Sequence, residues 1–234
     1  MPSHRFFLPQ PFNQEKLLLT FEESHHLQNV MKVRQGESVE IVNGMGFLAQ
    51  GRVEMLDKSG TTICLMKQSF TPKGPYELIL AQALIRPSLL DWVIEKGTEL
   101  GVTQFWLYPG ECSEKKELSA QQLERLHHLM IGALKQSGRL YLPQIQLKDP
   151  LSYWKKPGDL LLFGSLTPQA VRLEPVMDSS VIIAIGPEKG FSHHEEKILH
   201  RQLGGKGIQL HTNTLRTETA AICALSLLSY AMKL

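Results

Sequence analysis

From about residue 77 onward the sequence alternates between apolar segments of strand length and amphipathic segments of helix length. This alternation constrains the fold more than any other feature. Residues 160–163 and 181–185 are runs of Leu, Ile, Val, Phe and Ala in which apolar and polar positions do not alternate. Strands with that pattern are buried on both faces, as in a parallel sheet covered by helices. The sequence therefore predicts an α/β domain with a mostly parallel sheet.

Helix-start signals fall between these strands. Ser88 with Asp91 predicts a helix that runs to about residue 100, and Ser119 with Gln122 predicts a longer one that ends near residue 137. Further helices are expected near Thr167 and from Ser192, where Glu195 completes a capping-box pattern. The strands expected in this part of the chain are residues 77–83, 104–108, 159–163, 181–185 and 207–210.

The first third of the chain has a different rhythm. Short β-type segments surround one helix, which opens at Thr20 with Glu23 three residues later and runs through Met31. This pattern predicts a small β-barrel. Two prolines and a glycine in residues 71–75 mark a linker, so we expect one domain at 1–72 and a second at 73–234. The β-type segments are residues 5–8, 17–19, 38–42, 46–54 and 61–66.

Composition excludes several classes of protein and identifies none. The chain has 234 residues, of which 42% are hydrophobic. Its three cysteines, Cys64, Cys112 and Cys223, are scattered and lack C-x-x-C spacing, so neither a disulfide framework nor a zinc site is expected. No segment has the length and apolarity of a signal peptide or a membrane span, and we expect a cytoplasmic protein. A net charge of +2 does not by itself indicate a nucleic-acid partner.

Function is expected in the loops at the carboxyl ends of the strands, because ligands of open parallel sheets bind there. Residues 186–192 leave a buried strand with Gly186 and Gly190 on either side of a proline. Glycine lets the backbone approach a ligand, and a β-branched side chain at Gly190 is expected to crowd the loop. The same residues could instead serve only as a tight strand-to-helix turn. They match neither the Walker loop nor the G-x-G-x-x-G pattern.

A further loop, residues 211–220, opens a helix with Arg216 next to Thr217 and Glu218. Hydroxyl and acidic residues are common at helix starts, where free N–H groups and the positive end of the helix dipole lie. A cation there opposes the dipole. Arg216 therefore predicts a carboxylate or phosphate partner.

Five segments, taken in order, resemble the RsmE family of SPOUT-class methyltransferases, which methylate N-3 of a uridine in small-subunit ribosomal RNA. Residues 186–192 read Gly-Pro-Glu-Lys-Gly-Phe-Ser, and residues 215–220 read Leu-Arg-Thr-Glu-Thr-Ala. Residues 95–102 resemble that family's E-K-A-T-E-L-G-V, residues 136–139 its Q-S-G-R, and residues 26–34 its H-L-x-x-V-L-R. Together these segments span the whole chain.

The resemblance implies a SPOUT domain with a deep trefoil knot, preceded by a PUA-like barrel, in a homodimer. The implied cofactor is S-adenosylmethionine, the implied partner is ribosomal RNA, and no metal is implied. The helix at residues 220–228 is apolar or small nearly all round, as a dimer interface or a central core helix would be.

The resemblance also implies a set of site residues. Arg216 would orient the base or stabilise its negative charge, and Glu218 or a water would take the N-3 proton. The RNA would contact Arg5, Arg34, Arg86, Lys96 and Arg139. The cofactor would be bound by Phe163, Gly164, Gly186, Pro187, Glu188, Gly190, Leu210, Asn213, Leu215, Arg216 and Thr217.

Two departures from the family pattern leave alternatives open. Lys189 replaces a glycine, so its side chain must point away from the ligand or contact RNA, and residues 211–213 differ from the usual glycine and arginine. One alternative is a SPOUT methyltransferase that acts on another RNA position. The other is a catalytically silent RNA-binding homologue that has lost its cofactor site.

Overall fold

The computed structural model describes residues 4–57, 60–167, 170–173 and 180–232. The chain forms two compact units. The first contains Met1–Lys73 together with Ile131–Leu142, and the second contains Gly74–Met130 together with Pro143–Leu234.

A five-stranded sheet forms the first unit, with the order β1-β3-β4-β5-β2. β1 pairs in parallel with β3, and the other neighbours are antiparallel. The five strands expected from the sequence are confirmed, although β4 and β5 extend further than expected. An Asn-Gly turn leads from β3 toward β4: the Asn43 side-chain oxygen accepts the amides of Met45 and Phe47, and Gly44 has a φ of +73°. The strands are β1 (Arg5–Phe7), β2 (Lys16–Leu18), β3 (Ser38–Val42), β4 (Phe47–Asp57) and β5 (Gly60–Phe70).

The helix of the first unit begins where the sequence predicts. α1 (Phe21–His25) is capped by Thr20, whose Oγ1 accepts the Glu23 amide at 3.3 Å, and a π-helical segment, His26–Val30, continues it. The side-chain carboxylate of Glu23 accepts a hydrogen bond from Lys135 Nζ at 2.6 Å. It therefore ties α1 to the Ile131–Leu142 segment of the same unit.

The second unit contains a seven-stranded sheet with the order β10-β12-β9-β11-β6-β7-β8, in which all neighbours are parallel. This confirms the parallel sheet. Every residue of β6 and β11 is buried, as the apolar runs require. The short strands at the edges, β8 and β10, were not anticipated. The strands are β6 (Leu78–Ala83), β7 (Gln104–Tyr108), β8 (Gln144–Leu147), β9 (Leu160–Gly164), β10 (Val171–Arg172), β11 (Val181–Ile185) and β12 (Lys206–Gln209).

Two of the expected helix starts are confirmed. α3 (Ala120–Ser137) begins after Ser119, and the Ser119 and Gln122 side chains each accept the other's amide, at 3.2 and 2.9 Å. α4 (His193–Lys197) has a complete capping box between Ser192 and Glu195, and a π-helical segment, Ile198–Gln202, continues it. The unit also contains a 3-10 turn at Leu151–Tyr153 and α5 (Thr217–Met232).

The helix expected from Ser88 to about residue 100 is confirmed as α2 (Pro87–Glu99), but its predicted start was wrong. The cap is Arg86 rather than Ser88, because proline is well suited to the first helical position. The helix expected near Thr167 does not continue through Val171 and Arg172. These residues form β10, because they pair with Ile208 and Gln209 of β12. Residues 168–169 and 174–179 of that region lie outside the described residues.

One face of α5 is buried, with Ala221, Ala224, Leu225 and Leu228 in the core, while Leu227 and Tyr230 are 42% and 89% exposed. α5 is therefore a core helix with a second, uncovered apolar side. No helix in the described ranges is long and apolar enough to span a membrane.

Candidate functional site

The carboxyl ends of three neighbouring strands, β9, β11 and β12, surround a cavity of about 290 Å³. This volume is near the lower end of the ~300–1,000 Å³ typical of small-molecule sites. The loops that follow these strands are the ones that the sequence predicts to carry function. The cavity is lined by Gly164, Ser165, Leu166, Ile185, Gly186, Pro187, Glu188, Lys189, Gly190, Phe191, Glu196, Ile208, Leu210, His211, Asn213, Thr214, Leu215, Thr217 and Ala220.

The first wall of the cavity, residues 186–192, needs its two glycines for different reasons. A Cβ on Gly186 would lie 2.9 Å from the Phe191 amide nitrogen and 3.0 Å from the Gly190 carbonyl carbon, both backbone atoms. At Gly190 a Cβ would meet nothing within 4 Å, so the crowding expected there is wrong. Gly190 instead has a φ of +75°, a left-handed conformation that glycine adopts without steric cost.

Hydrogen bonds hold this first wall in place. The Gly190 amide donates to the Pro187 carbonyl at 2.9 Å, and the Tyr108 hydroxyl donates to the Ile185 carbonyl at 3.2 Å. Burial raises the pKa of Tyr108 well above its ordinary value, so its hydroxyl keeps the proton that this bond requires.

The loop after β7 also supports the first wall. The carboxylate of Glu111 accepts a hydrogen bond from the Ser192 hydroxyl and lies 2.6 Å from His194 Nδ1. The backbone amide of Glu111 donates to the Glu195 carboxylate at 3.0 Å. The bonds from Ser192 and His194 lower the pKa of the Glu111 carboxyl. This carboxylate therefore fixes the start of α4, where the first wall ends.

Two charged side chains of the first wall pair with residues that do not line the cavity. A Glu188 carboxylate oxygen accepts the Arg86 amide at 3.1 Å and lies 3.6 Å from Arg86 Nε. Lys189 contributes to the lining, but its side chain is 69% exposed and its Nζ lies 3.8 Å from a Glu114 carboxylate oxygen. The Lys189 ammonium is thus directed toward Glu114.

The second wall, residues 210–217, is more open than the first. Residues 211–214 are exposed, and in the described part of the chain we find one hydrogen bond within them, from the Asn213 amide to His211 Nδ1 at 3.0 Å. At its end Thr217 is buried, and its hydroxyl donates to the Gly186 carbonyl at 2.6 Å. The two walls therefore meet directly at Thr217 and Gly186.

Nine of the eleven residues expected to bind the cofactor line this cavity. Phe163 does not: it is fully buried behind the lining, with its ring edge-on to Phe191 at 6.0 Å between centroids. The Arg216 side chain is exposed and immediately precedes the lining residue Thr217, and the half-buried Glu218 follows in the first turn of α5. The nine are Gly164, Gly186, Pro187, Glu188, Gly190, Leu210, Asn213, Leu215 and Thr217.

The residues expected to contact RNA fall in separate places. In the first unit the Arg5 side chain is only 9% exposed and donates to Glu40 at 2.7 Å. It lies against Gly138, where a Cβ would be 3.5 Å from Arg5 Nη1. Arg139, the next residue, is half-buried, and burial lowers its pKa to about 10, so it is charged at neutral pH. Arg34 is exposed.

The other two RNA candidates lie in the second unit. Arg86 is exposed and joins the cavity through Glu188. Lys96 on α2 pairs with Glu95 and Glu99, each at 2.8 Å, and the hydrogen bonds to these carboxylates raise its pKa.

Several cavity residues were not assigned to the site from the sequence. Thr214 lies in the 211–220 loop singled out from the sequence, and Ser165 and Leu166 directly follow the predicted cofactor residue Gly164, so a wider choice at these places would have included them. Phe191 lies near the end of the first wall and Glu196 lies in α4, where their residue types are ordinary for a core aromatic and a helix start. Gln82, a fully buried amide beneath both walls, has no distinguishing pattern in the sequence.

Comparisons with known proteins agree with this geometry. Residues 72–229 match the RNA methyltransferase domain family, and residues 19–63 match the RNA methyltransferase PUA domain. Ribosomal RNA small subunit methyltransferase E of Rickettsia conorii is 30% identical over 86% of this chain and 84% of its own. The enzyme of the same name from Bacillus subtilis is 28% identical over 92% of this chain and 90% of its own.

Two solved structures resemble the whole chain. Ribosomal RNA small subunit methyltransferase E from Neisseria gonorrhoeae, bound to S-adenosylmethionine, has a TM-score of 0.89 and 25% identity over 98% of both chains. A Legionella pneumophila protein described as a methyltransferase, in complex with the same cofactor, has a TM-score of 0.87 and 27% identity over 99% of both chains. The fold is therefore a PUA-like domain and a parallel-sheet methyltransferase domain of the SPOUT type. The chain belongs to the RNA methyltransferase family that includes the ribosomal RNA small subunit methyltransferases E.

Proposed function

We propose that this protein transfers a methyl group from S-adenosylmethionine to N-3 of a uridine in 16S ribosomal RNA. The observation that carries the proposal is the cavity at the carboxyl ends of β9, β11 and β12. Nine residues that family resemblance assigns to the cofactor meet there from three separate loops. Relatives named ribosomal RNA small subunit methyltransferase E match the chain over most of its length.

The residues present fit such a cofactor. Gly164, Gly186 and Gly190 line the cavity without side chains, so backbone forms part of its walls, as a ligand held by main-chain groups requires. Leu210, Leu215, Ile185 and Phe191 supply apolar surface for an adenine ring. When bound, S-adenosylmethionine would supply an electrophilic methyl group.

The protein's own residues would align the acceptor base and manage its proton. Methyl transfer forms the bond from N-3 to the methyl carbon, breaks the bond from that carbon to sulfur, and releases the N-3 proton. Arg216, exposed beside the lining residue Thr217, would stabilise the negative charge that develops on the base. Glu218, or a water beside it, would accept the proton.

His211 also lines the cavity, but the lone pair of its Nδ1 is already engaged. Its Nδ1 accepts the Asn213 amide, so the neutral ring carries its hydrogen on Nε2 and has no free lone pair to offer. Glu218 or a water therefore remains the proposed proton acceptor. No metal is assigned to the reaction, which needs alignment and proton removal.

We further propose that residues 1–72 form the RNA-binding domain and residues 73–234 the methyltransferase domain, with the trefoil knot that the resemblance implies. Exposed Arg34 would contact a phosphate, and Arg139 and Arg86 would each contact RNA as well. Buried Arg5 is better suited to holding the strand edge through Glu40 and supporting the turn at Gly138. Lys96, paired with two carboxylates, would have to exchange these partners to contact RNA.

A homodimer is also part of the proposal, with the exposed side of α5, including Leu227 and Tyr230, covered by a second copy. The substrate would be either free ribosomal RNA or the assembled small subunit. The reaction would take place in the cytoplasm, where that RNA is made and assembled.

Two measurements test the function. Mass spectrometry of ribosomal RNA from cells with and without the gene should show one N-3-methyluridine that is lost with the gene. Loss of a methyl group from another RNA position would support the alternative specificity. A wild-type protein that binds RNA but not S-adenosylmethionine in calorimetry would be a silent homologue instead.

Kinetics of two arginine variants then distinguish RNA binding from the methyl-transfer step. Arg34→Ala should raise the KM for RNA and reduce the salt slope of binding by about one, because one phosphate contact is lost. Arg216→Ala should lower kcat by about 10²-fold, because it acts in the transition state. The reverse pattern would show that these roles are assigned to the wrong residues.

A further inference from the structure

Gln82 is a polar residue in the middle of an apolar core. It lies near the carboxyl end of β6, the strand next to β11, and its register partner there is Ile185, the last residue before the first wall. Its side chain is fully buried and does not line the cavity. An apolar side chain of similar shape would pack in this position without an amide to satisfy.

The amide of Gln82 bonds to both walls of the cavity. Its Nε2 donates to Thr217 Oγ1 at 3.2 Å, and the Gly186 carbonyl oxygen is 3.5 Å away, with a third acceptor on Ala83 at 3.1 Å. Because Thr217 Oγ1 accepts from Gln82, its own hydrogen is free to point at the Gly186 carbonyl, where it donates at 2.6 Å. The three groups form one buried hydrogen-bonded unit.

The other atom of the amide makes no such contact. Within the described residues, Gln82 Oε1 is buried and has no hydrogen-bond partner. An amide with one unsatisfied end is a poor way to stabilise a core. The part of Gln82 that an apolar residue could not replace is therefore the donor that reaches Thr217 and Gly186.

We propose that Gln82 is a positioning residue that fixes the separation of the two cavity walls and thereby sets the affinity for S-adenosylmethionine. It acts through the Thr217 hydroxyl and the Gly186 carbonyl, and has no contact with the substrate. This inference rests on the proposed function of the cavity. It assigns a role to a residue outside the loops that family resemblance marks.

Calorimetry on Gln82→Met tests the role, because methionine keeps the length of the side chain and removes the donor. The dissociation constant for S-adenosylmethionine should rise ~3–10-fold, the effect of one hydrogen bond. In steady-state kinetics the KM for the cofactor should rise while the KM for RNA stays unchanged.

Thr103→Val is the matched control. Thr103 Oγ1 donates to the Leu78 carbonyl at 3.1 Å, so this variant removes a side-chain hydrogen bond at the opposite end of the same strand. It should lower the melting temperature without changing cofactor affinity. If Gln82→Met lowers the melting temperature and leaves cofactor affinity as in Thr103→Val, Gln82 is a core residue only and the proposal is overturned.

A double-mutant cycle identifies the route of the effect. Thr217→Val removes the hydroxyl, so adding Gln82→Met to it should weaken cofactor binding by less than twofold further. Thr217→Ser keeps the hydroxyl and should retain the full effect of Gln82→Met. Additive effects in the Thr217→Val background would contradict action through Thr217.

These outcomes are distinct from failure of the proposed function. If wild-type protein binds no S-adenosylmethionine, the proposed function is wrong; if wild type binds and the Gln82 variant binds equally well, only the positioning role is wrong. Should Gln82→Met not fold, Thr217→Val against Thr217→Ser measures the same link from its other end, and equal affinities would overturn it.

Discussion

The two walls of the cavity are built by opposite means. The first wall, residues 186–192, leaves a fully buried strand, and its backbone, its capping box and Glu111 hold it through internal hydrogen bonds. The second wall, residues 210–217, is exposed through 211–214 and is fastened to the first at Thr217. The first wall is thus formed before a ligand arrives, whereas in the described part of the chain the second wall is held at its two ends, by Cys223 at Leu210 and by Thr217 at Gly186.

This difference suggests a division of labour between the walls. A preformed wall reduces the ordering cost of binding, so it should supply affinity and shape. The exposed residues 211–214 of the second wall can adjust more readily when a ligand binds. Substitutions in the first wall should therefore have larger effects on cofactor affinity than those in the second.

The largest effect is expected for Gly186→Val. Its Cβ would lie within 3.0 Å of the backbone of Phe191 and Gly190, so the wall itself must shift. Affinity for S-adenosylmethionine should fall ~100-fold or more, which corresponds to about 2.7 kcal/mol. Gly158→Ala, where a Cβ meets nothing within 4 Å, is the control and should bind normally in calorimetry. Normal binding by folded Gly186→Val would place the cofactor elsewhere.

An intermediate effect is expected at Gly190, where backbone conformation rather than space is limiting. Asparagine tolerates a positive φ better than alanine, and a β-branched residue tolerates it least. Melting temperature and cofactor affinity should decrease in the order Gly, Asn, Ala, Val. For Ala, the free energy of unfolding should fall by about 1–2 kcal/mol. An equal loss for Asn and Val would show that side-chain volume is the limit after all.

A small effect is expected in the second wall. Asn213→Ala keeps the backbone amide that donates to His211 and removes only the side chain from the cavity lining. Cofactor affinity measured by calorimetry should fall ~2–5-fold, within the range of a single side-chain contact. A loss as large as that of Gly186→Val would reverse the comparison between the walls.

The smallest effect concerns pH and the support of the first wall. Bonds from Ser192 and His194 lower the pKa of Glu111, so its ionised form stabilises the fold above the ordinary carboxyl value of 4.5. This contribution is lost as pH falls below that value, through the lowered pKa. In thermal unfolding at pH 7, the melting temperature of wild type should exceed that of Glu111→Gln. This difference should narrow below pH 4.5.

The control for the pH effect is Glu114→Gln, since Glu114 is an exposed carboxylate three residues along, 3.8 Å from Lys189. Glu111 is itself partly exposed, so the difference should be only a few degrees at most. If the difference in melting temperature between wild type and Glu111→Gln widens on acidification, the ionised Glu111 carboxylate destabilises the fold.

Much of this architecture could be predicted from the sequence, because patterns within a segment reflect forces within that segment. Buried strands such as 181–185 follow from continuous apolar runs, and the cap at Ser119 follows from a local exchange of hydrogen bonds. The two-residue strand at Val171–Arg172 could not be predicted, since it exists only through pairing with β12.

The same distinction applies to the site. Loops at strand ends and the family resemblance located most of the cavity, including Gly186 and Thr217. They could not separate Gly186, limited by space, from Gly190, limited by φ, because that depends on the folded backbone. Gln82 and Glu111 act across about 80 to 135 residues of chain, and no local pattern records such partners.

Hydrogen exchange with and without S-adenosylmethionine tests the central account most directly, since it reports each wall separately in the intact protein. We expect cofactor to protect amides of both walls, with the larger gain in residues 211–217 and a small gain at Gly190 and Ser192, whose amides are already hydrogen-bonded. Protection confined to other segments, or none at saturating cofactor, would contradict a cofactor site between these walls.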